Sequence, residues 1–165
     1  MEKKTTDKPE YSNERSRILE VASYAAVIYL AMFFFGAAGE YFFGARIGSE
    51  GFMIFIGVFL LGMSPLFILW SQRSIRRFRK GITDELHIPV FNIGPYKLTR
   101  NPTYLGLAML IAGFGFLANS LYIVLSAVAG FILVNIFVLP KEERLLEKKY
   151  GDIYLNYKRK VDRWL

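Results

Sequence analysis

Cysteine is absent from this chain of 165 residues, and histidine occurs once, as His87. Without thiols there is no disulfide scaffold and no thiolate nucleophile, and with a single histidine there is no structural zinc site. A chain lacking cysteine is also indifferent to its redox compartment. Charge is scarce too: 21% of residues are charged, against 53% hydrophobic and 16% aromatic, where a soluble domain carries about 25% charged residues. That apolar content excludes intrinsic disorder.

The charges that remain leave long stretches bare. Residues 21–39 form a run of 19 without a charge, residues 51–72 a run of 22, and residues 101–140 a run of 40 interrupted by the polar pair Asn119-Ser120. Each of the first two is long enough to cross a bilayer as a helix, and the third reads as two spans joined by a tight turn. The reading is therefore an all-α integral membrane protein with four transmembrane helices, over about 18–43, 51–72, 102–118 and 121–139. A polar tail, 1–17, precedes a single membrane domain, 18–165. A cytoplasmic loop, 73–101, separates the second and third spans.

Lysine and arginine number 21, and 20 of them fall before the first span, between the second and third, or after the fourth. By the positive-inside rule this puts both termini and the central loop in the cytoplasm, with Arg46 alone outside. The first apolar run follows a tail bearing acids as well as bases and is too long for a secretory signal, so it is expected to stay as an anchor. The net charge of +7 is accounted for by this bias and by anionic lipid heads. No nucleic-acid motif accompanies it, and no metal-ligand set is recognisable.

Beyond the spans, Gly36 and Gly39 offer a small-residue face for helix packing. The basic run 73–80 suits a headgroup anchor, and the loop 81–99 carries Ile88, Val90, Phe91 and Ile93, which argue for packing onto the protein. His87 reads as an exposed loop histidine or a proton acceptor. After Pro140, apolar residues from Leu146 to Trp164 recur at spacings of three and four. That is an amphipathic interfacial helix over 141–164, with a possible break at Gly151.

Chemistry concentrates at two places. In the first, Asn101 is set to cap a helix with Pro102 at its first position, so the third span begins with a positive dipole end that attracts carboxylates and phosphates. Arg100 adds a fork of donors, and Tyr96 and Tyr104 add aromatic faces for stacking or for a cationic centre. The second is the acidic pair Glu142-Glu143 after the fourth span. A hairpin about Asn119-Ser120 sets 101–104 level with 140–143, so the two places meet. Together they suit a ligand carrying a carboxylate and a cation, unless the acids only solvate the helix end.

These residues resemble the membrane methyltransferases that include isoprenylcysteine carboxyl methyltransferases and phospholipid N-methyltransferases. The pattern is read in Gly94-Pro95-Tyr96, Arg100-Asn101-Pro102-Thr103-Tyr104-Leu105-Gly106, Glu142-Glu143 and Gly151-Asp152-Ile153-Tyr154-Leu155-Asn156-Tyr157. The resemblance implies an S-adenosylmethionine-dependent transferase in the membrane, of prokaryotic plasma-membrane type, with its site facing the cytoplasm. Its acceptor, lipophilic or prenylated, would arrive from the membrane lipids and present a carboxylate, an amine or a thiol. By the same resemblance Tyr96, Asn101, Pro102, Thr103, Tyr104 and Glu142 fall on cofactor-binding positions, and Arg100 and Glu143 are the candidate catalytic neighbours. Two departures narrow it: Asn101 replaces a histidine common in the isoprenylcysteine enzymes, and Val138 replaces an arginine that holds their substrate's carboxylate. Phospholipid N-methylation is one alternative, and a non-catalytic membrane assembly or scaffold protein is the other.

Overall fold

The computed structural model describes residues 8–81 and 93–164. Every regular element among them is helical: α1 (Lys8–Phe43), α2 (Glu50–Gly81), a short 3₁₀ turn (Gly94–Lys97), α3 (Pro102–Leu117), α4 (Leu121–Leu133), a π-helical turn (Val134–Val138), α5 (Leu139–Tyr150) and α6 (Asp152–Lys160). His87 and the loop residues Ile88, Val90 and Phe91 lie outside the described residues, as do the side chains of the basic run beyond Ser74.

Among the described residues, three rods are long and apolar enough to cross a membrane: Ser16–Phe43, Glu50–Ser74 and Leu121–Tyr150. Only 11%, 17% and 33% of their most apolar windows are buried in the protein. Phe35, Phe42, Phe55, Phe59 and Ile136 all point outward. An apolar surface of that extent is tolerated in hydrocarbon, not in water, and the protein is an all-α integral membrane protein. α3 is the short member: 16 residues give about 24 Å of helix against about 30 Å of hydrocarbon. It is sheltered between neighbours, for α2 packs on α3, α3 on α4, and α4 on α1.

Two helices run further than the apolar pattern implies. Residues 8–17, read as part of a polar tail, belong to α1, and Lys8, Glu10, Glu14, Arg15 and Arg17 are sound helix formers. The fourth span likewise passes Pro140 without stopping and becomes α5. Pro140 lacks an N–H, and its ring would crowd the carbonyl four residues back. The π turn immediately before it widens the helix there, with Leu139 N–H reaching back to the carbonyl of Val134.

At the hairpin end the connection from α1 to α2 is tied to the turn between α3 and α4. Asn119 takes a positive φ of 51°, a conformation asparagine tolerates. Its side-chain oxygen accepts from the N–H of Ile47 and Gly48, while its amide donates to the carbonyl of Gly48. Ser120 caps α4 through the N–H of Ile123 and donates to Glu40 at 2.6 Å. Gly36 lets α1 press onto α4, for a Cβ there would stand 2.9 Å from the Cα of Ile123. Such close backbone approach gives membrane helices their packing contacts.

The C-terminal part is not one interfacial helix over 141–164. α5 prolongs the fourth span, and Gly151, at φ 53° and ψ −131°, breaks the rod in a conformation closed to residues with a side chain. α6 then ends at Lys160. Val161 is extended (φ −129°, ψ 126°), and residues 161–164 run back beneath the bundle without helical structure.

Candidate active site

The site forms at the other end of the bundle, where the N-terminus of α3 faces α5 across the hairpin. The phenol of Tyr104 donates to Glu142 Oε2 at 2.6 Å, a short bond between residues 38 positions apart. Tyr104 itself is buried. Asn101 occupies the cap position, and its carbonyl accepts the first helical bond from Leu105 N–H. Its side chain, however, does not cap the helix. The amide instead donates to the carbonyl of Arg163 at 3.3 Å. With Pro102 first in the helix, the positive end of α3 is left without a side-chain oxygen on its N–H groups, the situation in which such termini take up anions.

Tyr96 enters from the 3₁₀ turn. Gly94 opens that turn at φ 59° and presses against Ser74 and Trp70, where a Cβ would come within 3.1 Å of the indole nitrogen. The turn therefore packs tightly on α2. Tyr96 Oη and Thr103 Oγ1 each lie 2.8 Å from Ser71 Oγ, so one buried serine of α2 links two residues expected at cofactor positions. Tyr157 of α6 donates to the carbonyl of Tyr96 at 2.8 Å. Burial holds the phenol of Tyr96 above the usual tyrosine range, with opposing help from Ser71 and Thr103, and burial does the same for Tyr154 and Tyr157. All three stay neutral hydroxyls.

The two acids differ sharply in company. Glu143 is buried at the centre of an ion cluster: Arg163 Nε and Nη2 bind its two oxygens at 2.9 and 3.0 Å, and Lys158 Nζ lies 3.2 Å away. Arg100 Nη1 lies 3.1 Å from Glu143 Oε1, within ion-pair range but without hydrogen-bond geometry. Among the described residues, Arg100 Nε and Nη1 are buried without a hydrogen-bond partner, although the Arg100 side chain also bonds the Tyr154 phenol. Glu142, by contrast, has no cation paired with it among the described residues. The site thus offers two guanidinium nitrogens without hydrogen-bond partners on one side and an acid without a paired cation on the other.

Several participants were not singled out from sequence. Ser71 looked like one more uncharged residue of a span, and Arg163 like one more base of the tail. Asn135 is a rare polar residue within a span, and its side-chain oxygen accepts from Arg163 Nη1 and from the indole N–H of Trp164. Polar residues at membrane depth are costly unless partnered, and that rarity was the available signal. No group of three or more metal-ligating side chains occurs among the described residues.

A helical membrane bundle that gathers polar and charged residues at the mouth of a helical hairpin, with this order of motifs, points to a class: the membrane-embedded methyltransferases. A family model described as phospholipid methyltransferase matches residues 52–153, well over half of the chain, and the protein belongs to that family. A stretch of 59 residues, 36% of this chain, is 42% identical to an uncharacterized protein of Haemophilus influenzae, of which it covers 92%. No solved structure matches.

Proposed function

We propose that this membrane methyltransferase uses S-adenosylmethionine as donor and methylates a lipophilic acceptor that approaches from the lipid phase. The observation that carries the reading is the Tyr104–Glu142 contact, because it sets the uncapped end of α3 against a carboxylate without a paired cation. The residues present fit the donor molecule's chemistry. Arg100, with its orphaned donors, and the α3 terminus formed by Asn101, Pro102 and Thr103 suit its carboxylate. Glu142 suits its ammonium and ribose hydroxyls, and the faces of Tyr96 and Tyr104 suit its sulfonium.

When bound, S-adenosylmethionine supplies a methyl group already activated by the sulfonium, so the protein's contribution is positioning and exclusion of water. Tyr96 and Tyr104 are fixed by hydrogen bonds at their hydroxyls, which holds their rings in place. Arg100 and Glu143, the candidate catalytic pair, sit in one ion cluster beside the same cavity. A carboxylate or a free amine needs no strong base to accept a methyl, and none is supplied at Asn101. Val138, at the level where an arginine holds the carboxylate in isoprenylcysteine enzymes, is buried in the apolar core with Tyr29, Tyr104 and Val134. That favours an amine-bearing phospholipid over a prenylcysteine carboxylate. The basic residues on the site's side of the bundle favour a cytoplasmic cavity.

The test is transfer of radiolabelled methyl from S-adenosylmethionine into lipid extracts by the purified chain in nanodiscs. Label in the organic phase, dependent on Glu142, supports the reading. No label in lipid, prenylated or small-molecule fractions supports a non-catalytic membrane protein instead.

A further inference from the structure

Residues 161–164 are the strongest unassigned feature of the molecule. Backbone and side chains together stitch this strap to the entrance of α3, to α4, to the π turn and to α5. Asp162 and Arg163 offer their carbonyls to the α3 entrance, accepting from Arg100 N–H at 3.1 Å, Thr99 Oγ1 at 2.7 Å and the Asn101 amide. The Arg163 guanidinium grips Glu143 with two prongs and turns its third nitrogen to Asn135 in the π turn. Trp164 lies on Phe131, ring centroids 4.5 Å apart, and shares the same Asn135 oxygen.

Two consequences fall on the ligand cavity. First, the Arg163 carbonyl draws the Asn101 side chain away from the end of α3 and leaves that terminus open. Second, Arg163 takes the two-pronged position on Glu143, Lys158 Nζ lies 3.2 Å from Oε2, and Arg100 is left beside the carboxylate at 3.1 Å without hydrogen-bond geometry. Glu143 is buried and Arg100 nearly so, with side chains 7% and 10% exposed. A buried guanidinium with idle donors is costly unless a ligand completes it. Without Arg163, Glu143 would keep Lys158 beside one oxygen and could take Arg100 in the fork geometry that arginine and carboxylate favour.

We propose that Arg163 is a positioning residue: by holding Glu143 it keeps Arg100 available for the anionic group of the ligand. This rests on the reading that S-adenosylmethionine is the ligand and its carboxylate the anion. Arg163→Met is expected to weaken S-adenosylmethionine binding by at least about tenfold, measured by calorimetry on the full chain in nanodiscs. The double variant Arg163→Met/Glu143→Gln is expected to recover most of the loss, since a neutral amide no longer competes for Arg100. A merely structural role gives the opposite order, the double variant being no better than the single.

A second measurement needs no ligand. In spectra of the apo protein with ¹⁵N-labelled arginine, Arg163→Met should move the Arg100 Nε resonance and slow its proton exchange, and Glu143→Gln added to it should reverse both. An Arg100 signal indifferent to Arg163, or a single variant binding as tightly as wild type, overturns the proposal. If wild type binds no S-adenosylmethionine while the Arg100 signal responds as described, the positioning device stands and the donor assignment falls.

Discussion

Replacing Glu142 with alanine separates a site from a solvated helix end. The carboxylate accepts the Tyr104 hydroxyl at 2.6 Å, and hydrogen bonds to charged groups contribute roughly 1.5–3 kcal/mol. Its loss strands a phenol in a buried setting, so the variant should unfold about 1–3 kcal/mol more readily. If Glu142 also holds the ammonium or ribose of S-adenosylmethionine, affinity should fall by a further one to two orders of magnitude, since about 1.4 kcal/mol is tenfold. Tyr104→Phe is the control: it removes the same internal bond but leaves the acid in place, so it should cost stability with a smaller loss of affinity. Thermal unfolding in detergent and calorimetric titration in nanodiscs give the two numbers. Glu142→Ala protein that is folded and binds as tightly as wild type would refute the assignment of this acid to the cavity.

Other substitutions probe the rest of the molecule. Arg46→Ala, at the hairpin end, loses one bond to the carbonyl of Ala118 and should leave donor binding and turnover intact; a large loss would overturn the site's placement. Tyr29→Phe should raise stability by about 1 kcal/mol, because the Tyr29 hydroxyl is buried without a partner among the described residues and such a group carries its full desolvation cost; a lower unfolding temperature would show that it has a partner after all. Gly36→Leu should destabilise the α1–α4 contact by about 1–3 kcal/mol through overpacking, read in the same melt. Lys158 is held above its ordinary value, chiefly by its hydrogen bond to Glu147. A raised lysine contributes stability that is complete below the unfolded-state pKa and is lost as pH rises through the higher folded value. The alkaline limb of the stability profile should therefore flatten in Lys158→Met, by a small amount because the side chain is partly exposed.

The parts of this fold governed by solvent preference were legible in the sequence. Uncharged runs located the rods, and Asn119-Ser120 located the turn that carries Tyr104 to Glu142. Helix ends were less legible: residues 8–17 and 141–150 are charged yet helical, since a helix need not end where hydrocarbon ends. The strap was illegible for a different reason. Val161 and Trp164 continue the three-and-four spacing of an amphipathic helix as well as they fit an extended segment, and only tertiary bonds to Glu143, Thr99 and Asn135 decide between them. Ser71 was hidden because its role depends on Tyr96 and Thr103 arriving from two other elements. Asn101 was placed correctly at the helix entrance, but its side chain was drawn off by a carbonyl 62 residues away.

The central claim is that the mouth of the α3–α4 hairpin holds S-adenosylmethionine between Arg100 and Glu142. Calorimetric titration of the wild-type chain in nanodiscs, repeated with the donor's decarboxylated analogue, tests it most directly. One-to-one binding of S-adenosylmethionine, weakened at least about tenfold by loss of the carboxylate and abolished by Glu142→Ala, is the expected result. Equal affinity for both molecules, or no heat with either, would contradict it.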